Sequence, residues 1–116
     1  SDPSTVQVQA VDTVTAAIQS VQDCEAEITS LDSSVFKNAN MQNTLINKLN
    51  AVIANIEAGN YEDALGQLQN DILGKTDGCT NSGSPDKNDW ITSCEAQSEV
   101  YPCLQHTISV VEGLMM

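Results

Sequence analysis

Over residues 41–78 the apolar side chains recur at steps of three and four, and this spacing restricts the fold more than any other feature of the 116-residue chain. Met41, Leu45, Leu49, Val52 and Ile56 form a stripe, widened by Ile46 and Ile53, with the period of an amphipathic helix. Gly59 ends that run. Asn60 is placed to cap a second helix with its side-chain oxygen, and Asp63 holds the return position of a capping box, where Glu or Gln is usual. Tyr61, Ala64, Leu65, Leu68, Ile72 and Leu73 then repeat the helical step. A link of one or two residues leaves two such arms no course but to run antiparallel. The segment reads as a central helical hairpin, and each arm carries a stripe that needs partners from elsewhere in the chain.

Those partners lie on either side. Residues 1–5 read as a flexible polar leader. A helix is expected over 6–31, where Val11, Val14, Ile18, Val21, Ile28 and Leu31 approach a seven-residue repeat that Glu25 interrupts and that Cys24 flanks. Residues 32–40 form a connection with capping residues at both ends, from which Val35 and Phe36 tuck against the bundle. Residues 76–88 (TDGCTNSGSPDKN) satisfy every local criterion for a loop. Asp86 or Asn88 caps a final helix in which Trp90, Cys94, Gln97, Tyr101, Leu104, Ile108 and Val111 keep the step. Pro102 falls inside it, so a kink or break is expected near 99–101. Aromatic residues are only 3% of the chain, so Leu, Ile, Val and Ala must fill the core, which suits helix packing better than a sheet. The expected fold is all-α: one domain over 1–116, an antiparallel four-helix bundle.

Sixteen carboxylates oppose four basic residues, all lysines, for a formal net charge of −12. Nucleic acid is excluded as a partner, because phosphate binding draws its affinity from a cationic patch that four lysines spaced along an acidic chain do not offer. An anionic membrane surface is disfavoured on the same ground, and no apolar run is long enough to insert. The chain begins at Ser1, which fits a mature form after signal cleavage or a piece of something larger.

Cys24, Cys79, Cys94 and Cys103 make an even set with no Cys-x-x-Cys pair, which argues against zinc, a redox pair and covalent haem. Two disulfides in an oxidising compartment are the reading. Of the three pairings, 79–94 with 24–103 is preferred: the first closes a short loop over the glycine-rich segment, and the second ties the first helix to the last. No Asn-x-Ser/Thr site occurs, which leans toward a bacterial or archaeal secreted protein.

Chemistry-bearing residues are few. Asp77, Asp86, Asn88 and Asp89 supply oxygen ligands for calcium, yet their spacing fails the EF-hand pattern, and capping is the simpler use for them. Beyond calcium no cofactor is expected. His106, the one histidine, has no nucleophile or orienting acid assignable to it. Glu25, Glu62 and Asp63 are better explained as helix-flank and helix-dipole charges than as a general acid and base. Trp90 and Tyr101 are candidates for an interaction pair, with Phe36 a weaker third, although core anchoring is the commoner use of such residues. No catalytic constellation can be assembled.

The segments 45–49 (LINKL), 59–65 (GNYEDAL), 68–72 (LQNDI), 75–79 (KTDGC) and 86–91 (DKNDWI) together resemble short helical modules near the C-termini of secreted bacterial and archaeal surface proteins, FIMAH-type domains among them. The resemblance covers residues 36–112 and implies a non-catalytic role in attachment or spacing. The long helix ahead of the module departs from that pattern. Taken together, the sequence predicts an extracellular or cell-surface structural domain that binds protein partners or itself, with self-assembly into a filament or surface subunit as the sharpest form. The alternative is a small extracellular module binding calcium or another ligand through residues 76–90.

Overall fold

Proline presets the helical φ and lacks an amide hydrogen that a first turn would leave unpaired anyway. In the computed structural model helix α1 accordingly starts at Pro3 and runs to Ser30. The structure describes residues 3–85, 87 and 89–115, with side chains from residue 13 onward. Residues 3–5, expected in a flexible leader, are therefore helical, while residues 1–2 and the side chains of Val6, Val8 and Val11 lie outside the described set.

The buried face of α1 is Ala17, Val21, Cys24 and Ile28, each fully buried, with steps of four, three and four. This corrects the expected stripe: Cys24 sits at its centre, and Glu25 moves to the flank. The bond from Cys24 to Cys103 sets that face of α1 against the last helix, and Val14, Ile18 and Leu31 of the expected stripe pack at its margin, partly buried. The amide of Gln42 closes the end of α1, donating to the carbonyls of Ile28 at 2.8 Å and Leu31 at 3.2 Å. The Ile28 carbonyl also accepts from the Leu31 amide at 3.2 Å, and carbonyls at the end of a helix lack the regular i+4 donor.

A 3₁₀ turn over Ser33–Val35 follows, capped by Asp32, whose carboxylate accepts from the Ser34 amide. Helix α2, Ala39–Glu57, is capped by Asn38 and buries Leu45, Leu49, Val52 and Ile56. It ends as expected at Gly59, whose φ of 82° places it in the left-handed region that glycine tolerates. The Asn60 amide reaches the Asn55 carbonyl at 2.8 Å, and the Gly59 amide reaches that of Ile56 at 3.1 Å. This is the Schellman pattern, which satisfies carbonyls the helix would leave bare. Asn60 itself makes no side-chain cap, contrary to expectation.

The second arm is not one α-helix. Helix α3, Tyr61–Gly66, widens into a π turn over Gln67–Ile72 and tightens into a 3₁₀ turn over Leu73–Lys75. Its inward residues explain the widening. Ala64, Leu68, Ile72 and Thr76 are all fully buried and lie four apart. Steps of four overrun an α-helix of about 3.6 residues per turn by about 40° each time, and the wider π turn that holds Leu68 and Ile72 takes back part of that drift. The Asn55 amide ties this segment to α2 by donating to Gln67 Oε1 at 2.8 Å.

Within the expected loop Cys79 lies on a short helix, α4, Gly78–Ser82, closed by Gly83 at φ 85°. The last helix, α5, spans Cys94–Leu114 and is capped by Ser93, not by residue 86 or 88. Residues 90–92 are held outside it because their backbone groups bond elsewhere. The Trp90 amide donates to Lys75 O, the Lys37 amide to Trp90 O, and the Thr92 amide to Val35 O. Phe36 and Ile91 meet in a single antiparallel bridge.

Helix α5 continues through Pro102 without the expected break. The proline is exposed, and the Ser98 carbonyl that loses its donor belongs to an exposed residue where water can replace it. Contacts at Cys24–Cys103 and Ser20–Thr107 step in opposite directions along α1 and α5, so these two helices run antiparallel. Helix α1 packs on α2 and α5, and α3 packs on the same two. Extents of 49 × 24 × 24 Å make the molecule about twice as long as it is wide. Among the described residues no helix is long and apolar enough to cross a membrane.

Candidate functional site

The segment from Thr76 to Ser93 connects the second arm to α5, and three devices hold it down. The first is the Cys79–Cys94 disulfide, with Cα atoms 5.5 Å apart. The second is a buried polar node. Gln97, fully buried on α5, donates from Nε2 to Asp89 Oδ2 at 2.8 Å and to the Ile91 carbonyl at 2.7 Å, while its Oε1 accepts from the Cys79 amide at 3.0 Å. Asp89 Oδ2 also accepts from the Gly78 amide at 3.1 Å. One amide side chain thus joins α4, the residues around Trp90, and α5. Buried polar groups keep their place when each has a partner, because leaving one bare costs its full desolvation.

The third device is the Trp90 ring. Half-buried against the core, it lies 5.2 Å from Lys75 Nζ and 5.5 Å from Lys48 Nζ. An indole face attracts an ammonium through its quadrupole, by about 0.5–1 kcal/mol where solvent reaches. Lys37 lies at the same place: its amide donates to Trp90 O, and its Nζ approaches the Lys87 carbonyl at 3.4 Å. Three of the four lysines, Lys37, Lys48 and Lys75, therefore contact one tryptophan, and the backbone of the fourth, Lys87, is bonded to Lys37.

The opposite end of α2 has a different character. Gly59, Asn60, Tyr61, Glu62, Asp63 and Met115 line an open depression of about 330 Å³. Met115, at 46% exposure, is the exposed large hydrophobic residue among those described. Glu57 and Glu112 are also exposed here, next to the turn and to Met115 in the chain.

No family model, curated protein or solved structure matches this chain. The reading of its surfaces rests on their own geometry.

Both expected disulfides are present. Cys24–Cys103 has Cα atoms 5.7 Å apart and bridges 79 positions of sequence. A small polar layer lies beside it: Ser20 and Thr107 share a hydrogen bond, and the Thr107 hydroxyl also donates to the Cys103 carbonyl at 3.0 Å.

The calcium candidates do not converge among the described residues. Asp89 is 1% exposed and turned into the node, Asp77 precedes α4, and Asp86 and Asn88 lie outside the described set. Among the described residues no three His, Cys, Asp or Glu side chains gather as a metal site. Phe36 is a core residue at 5% exposure, not an exposed contact. Trp90 is not on the last helix, as its spacing had predicted, but on the extended segment before it; Tyr101 is half-buried on α5. His106 is exposed on α5.

Glu25 flanks the core with one carboxylate oxygen buried and without a hydrogen-bond partner, and this desolvation raises its pKa above the ordinary value. Asp32 moves the other way, lowered by the hydrogen bonds it accepts from Ser34. Two features escaped the sequence reading. Gln97 stood in an apolar register of the last helix, which was the available signal for a buried amide. The meeting of the lysines at Trp90 has no local signal, because 37, 48 and 75 are brought there only by the fold.

Proposed function

We propose that this chain is a non-catalytic, secreted structural and interaction domain, an antiparallel four-helix bundle that associates with further copies of itself in an extracellular filament or cell-surface assembly. The observation that carries this reading is the exposed Met115 beside the half-buried Leu114, at an end of the molecule where an acidic surface gives way to apolar side chains. Among the described residues Met115 is the large hydrophobic left exposed, and this reading takes it, with Leu114 beside it, as part of a contact surface. Two disulfides in a chain of this size belong to an oxidising compartment, where they secure a small core. The resemblance of the hairpin to FIMAH-type modules supports the same non-catalytic role.

Negative-stain electron microscopy and light scattering of the purified protein test the reading. Ordered assemblies that grow with concentration are expected. A strict monomer at every concentration would remove it.

A further inference from the structure

The chain has sixteen carboxylates and four lysines, and the fold brings three of those lysines to Trp90 with the backbone of the fourth beside them. That face is built around Trp90 by Lys48 and Lys75 over the ring and by the exposed Lys37, whose amide donates to Trp90 O and whose Nζ donates to the carbonyl of Lys87, itself an exposed residue. The ammonium contacts are to the indole and to a carbonyl; none is to a described carboxylate. Helix α2 starts beside this face and ends at the depression lined by Glu62, Asp63 and Met115. Lys48 lies midway along that helix, nine residues before its end at Glu57, so at about 1.5 Å of rise per residue its backbone is about 14 Å from the turn that lines the depression. The charges are therefore unevenly spread: the lysines gather beside the first half of α2, and past its end lie exposed carboxylates with an open apolar residue.

We propose that the Trp90–lysine face is the docking surface for the Glu62, Asp63 and Met115 end of a second copy of this chain. The proposal rests on the self-association reading above and names its two surfaces. Charge complementarity selects the occupant. Two molecules of net charge −12 repel as whole bodies, so association requires a place where opposite charges meet at short range. The lysine face is the one cationic surface the lysines can form, and the acidic end offers carboxylates around an apolar residue that contact would cover. The mating surfaces are different patches, one beside the first half of α2 and one past its end. The contact is heterologous, each copy keeps one unused surface at either end, and addition can continue into a filament.

Salt separates the two electrostatic terms. Screening falls to a length of about 10 Å at 0.1 M and about 3 Å at 1 M. Whole-body repulsion therefore fades first, while ion pairs in contact weaken only at higher salt. Association should rise from very low salt to about 0.1 M and fall again toward 1 M.

Sedimentation velocity on three proteins tests the assignment: wild type, Lys37→Glu with Lys87→Glu, and Glu62→Lys with Glu112→Lys. All four positions are exposed, and thermal melts followed by circular dichroism verify that each variant folds. Wild type is expected to associate with rising concentration, and each variant alone to associate at least about tenfold more weakly, because like charges now meet. An equimolar mixture of the two variants should recover association, since each supplies the surface the other needs. If both variants fold and associate as wild type does, the face assignment is wrong while self-association stands. If wild type is monomeric at every concentration and salt, both readings fail. Monomeric wild type that binds polyglutamate would give the lysine face to a foreign acidic partner and overturn the proposal. Should a double variant fail to fold, Lys87→Glu alone against Glu62→Lys alone repeats the mixing experiment.

Discussion

Replacing Gln97 by alanine would strip three partners of the group that holds them: the Asp89 carboxylate, the Ile91 carbonyl and the Cys79 amide. Each buried group left bare costs about 1–3 kcal/mol, and a charged one more. Two effects soften the sum. Asp89 Oδ2 keeps the Gly78 amide as a donor, and the emptied space admits water. A net loss of about 3–5 kcal/mol is expected, a large share of the roughly 5–15 kcal/mol typical of a domain. At about 2.1 cal/mol/K of unfolding entropy per residue, each kcal/mol lowers the melting temperature by about 4 °C in a chain of this length, so a fall of roughly 12–20 °C should appear in thermal melts by circular dichroism.

Gln97→Glu tests the orientation of the amide separately. It keeps the shape but sets a second carboxylate where Nε2 lies 2.8 Å from Asp89. Two such carboxylates raise each other's affinity for a proton. The variant should therefore be less stable than wild type at pH 7 and regain stability as the pH falls and one of the pair is protonated. A loss below about 1 kcal/mol in Gln97→Ala, the net worth of one ordinary hydrogen bond, would refute the node as the anchor of the segment. So would a Gln97→Glu variant as stable as wild type at pH 7.

Removing the disulfides should rank them by the loop each closes. In the chain-entropy model the Cys24–Cys103 link, spanning 79 positions, contributes about 4.5 kcal/mol, and Cys79–Cys94, spanning 15, about 3 kcal/mol. Urea unfolding of the two double-alanine variants checks both the order and the size. For Glu25 the folded-state pKa is raised, so the native state holds the proton more tightly than the unfolded chain. The carboxylate then costs stability as the pH rises from its unfolded value through the raised one, and the cost is complete above that window. Glu25→Gln should raise the melting temperature at pH 7 and leave it unchanged near pH 3.

The parts of the fold that were legible in the sequence are those set by local period and local chemistry. The stripe from Met41 to Ile56 became the buried face of α2, and Gly59 closed it because a left-handed residue was needed there. Pairing the cysteines by the loops they would close also matched the structure. What was misread depends on distant partners. Trp90 shares the helical step of Cys94 and Gln97, yet backbone groups from residues 35–37 and 75 claim its segment and hold it extended. In α1 the expected Val21 and Ile28 are buried and Val14, Ile18 and Leu31 pack at the margin of the core, but Cys24, bonded to Cys103, and Ala17 take the centre of the face that the count had run through Ile18. The π turn had a local sign in the steps of four from Ala64 to Thr76, which an α-helix would have splayed around its surface. The site was the least legible part. A cationic face in a chain this acidic exists only once the fold has gathered lysines that stand as many as fifty positions apart.

Zero-length carbodiimide cross-linking of an equal mixture of unlabelled and ¹⁵N-labelled protein, read by mass spectrometry, examines the self-association account at its contact. The account predicts mixed-isotope links joining Lys37 or Lys87 of one copy to Glu62, Asp63 or Glu112 of another. Links confined to peptides of a single isotope, or lysines that find no carboxylate at that end of the bundle, would contradict it.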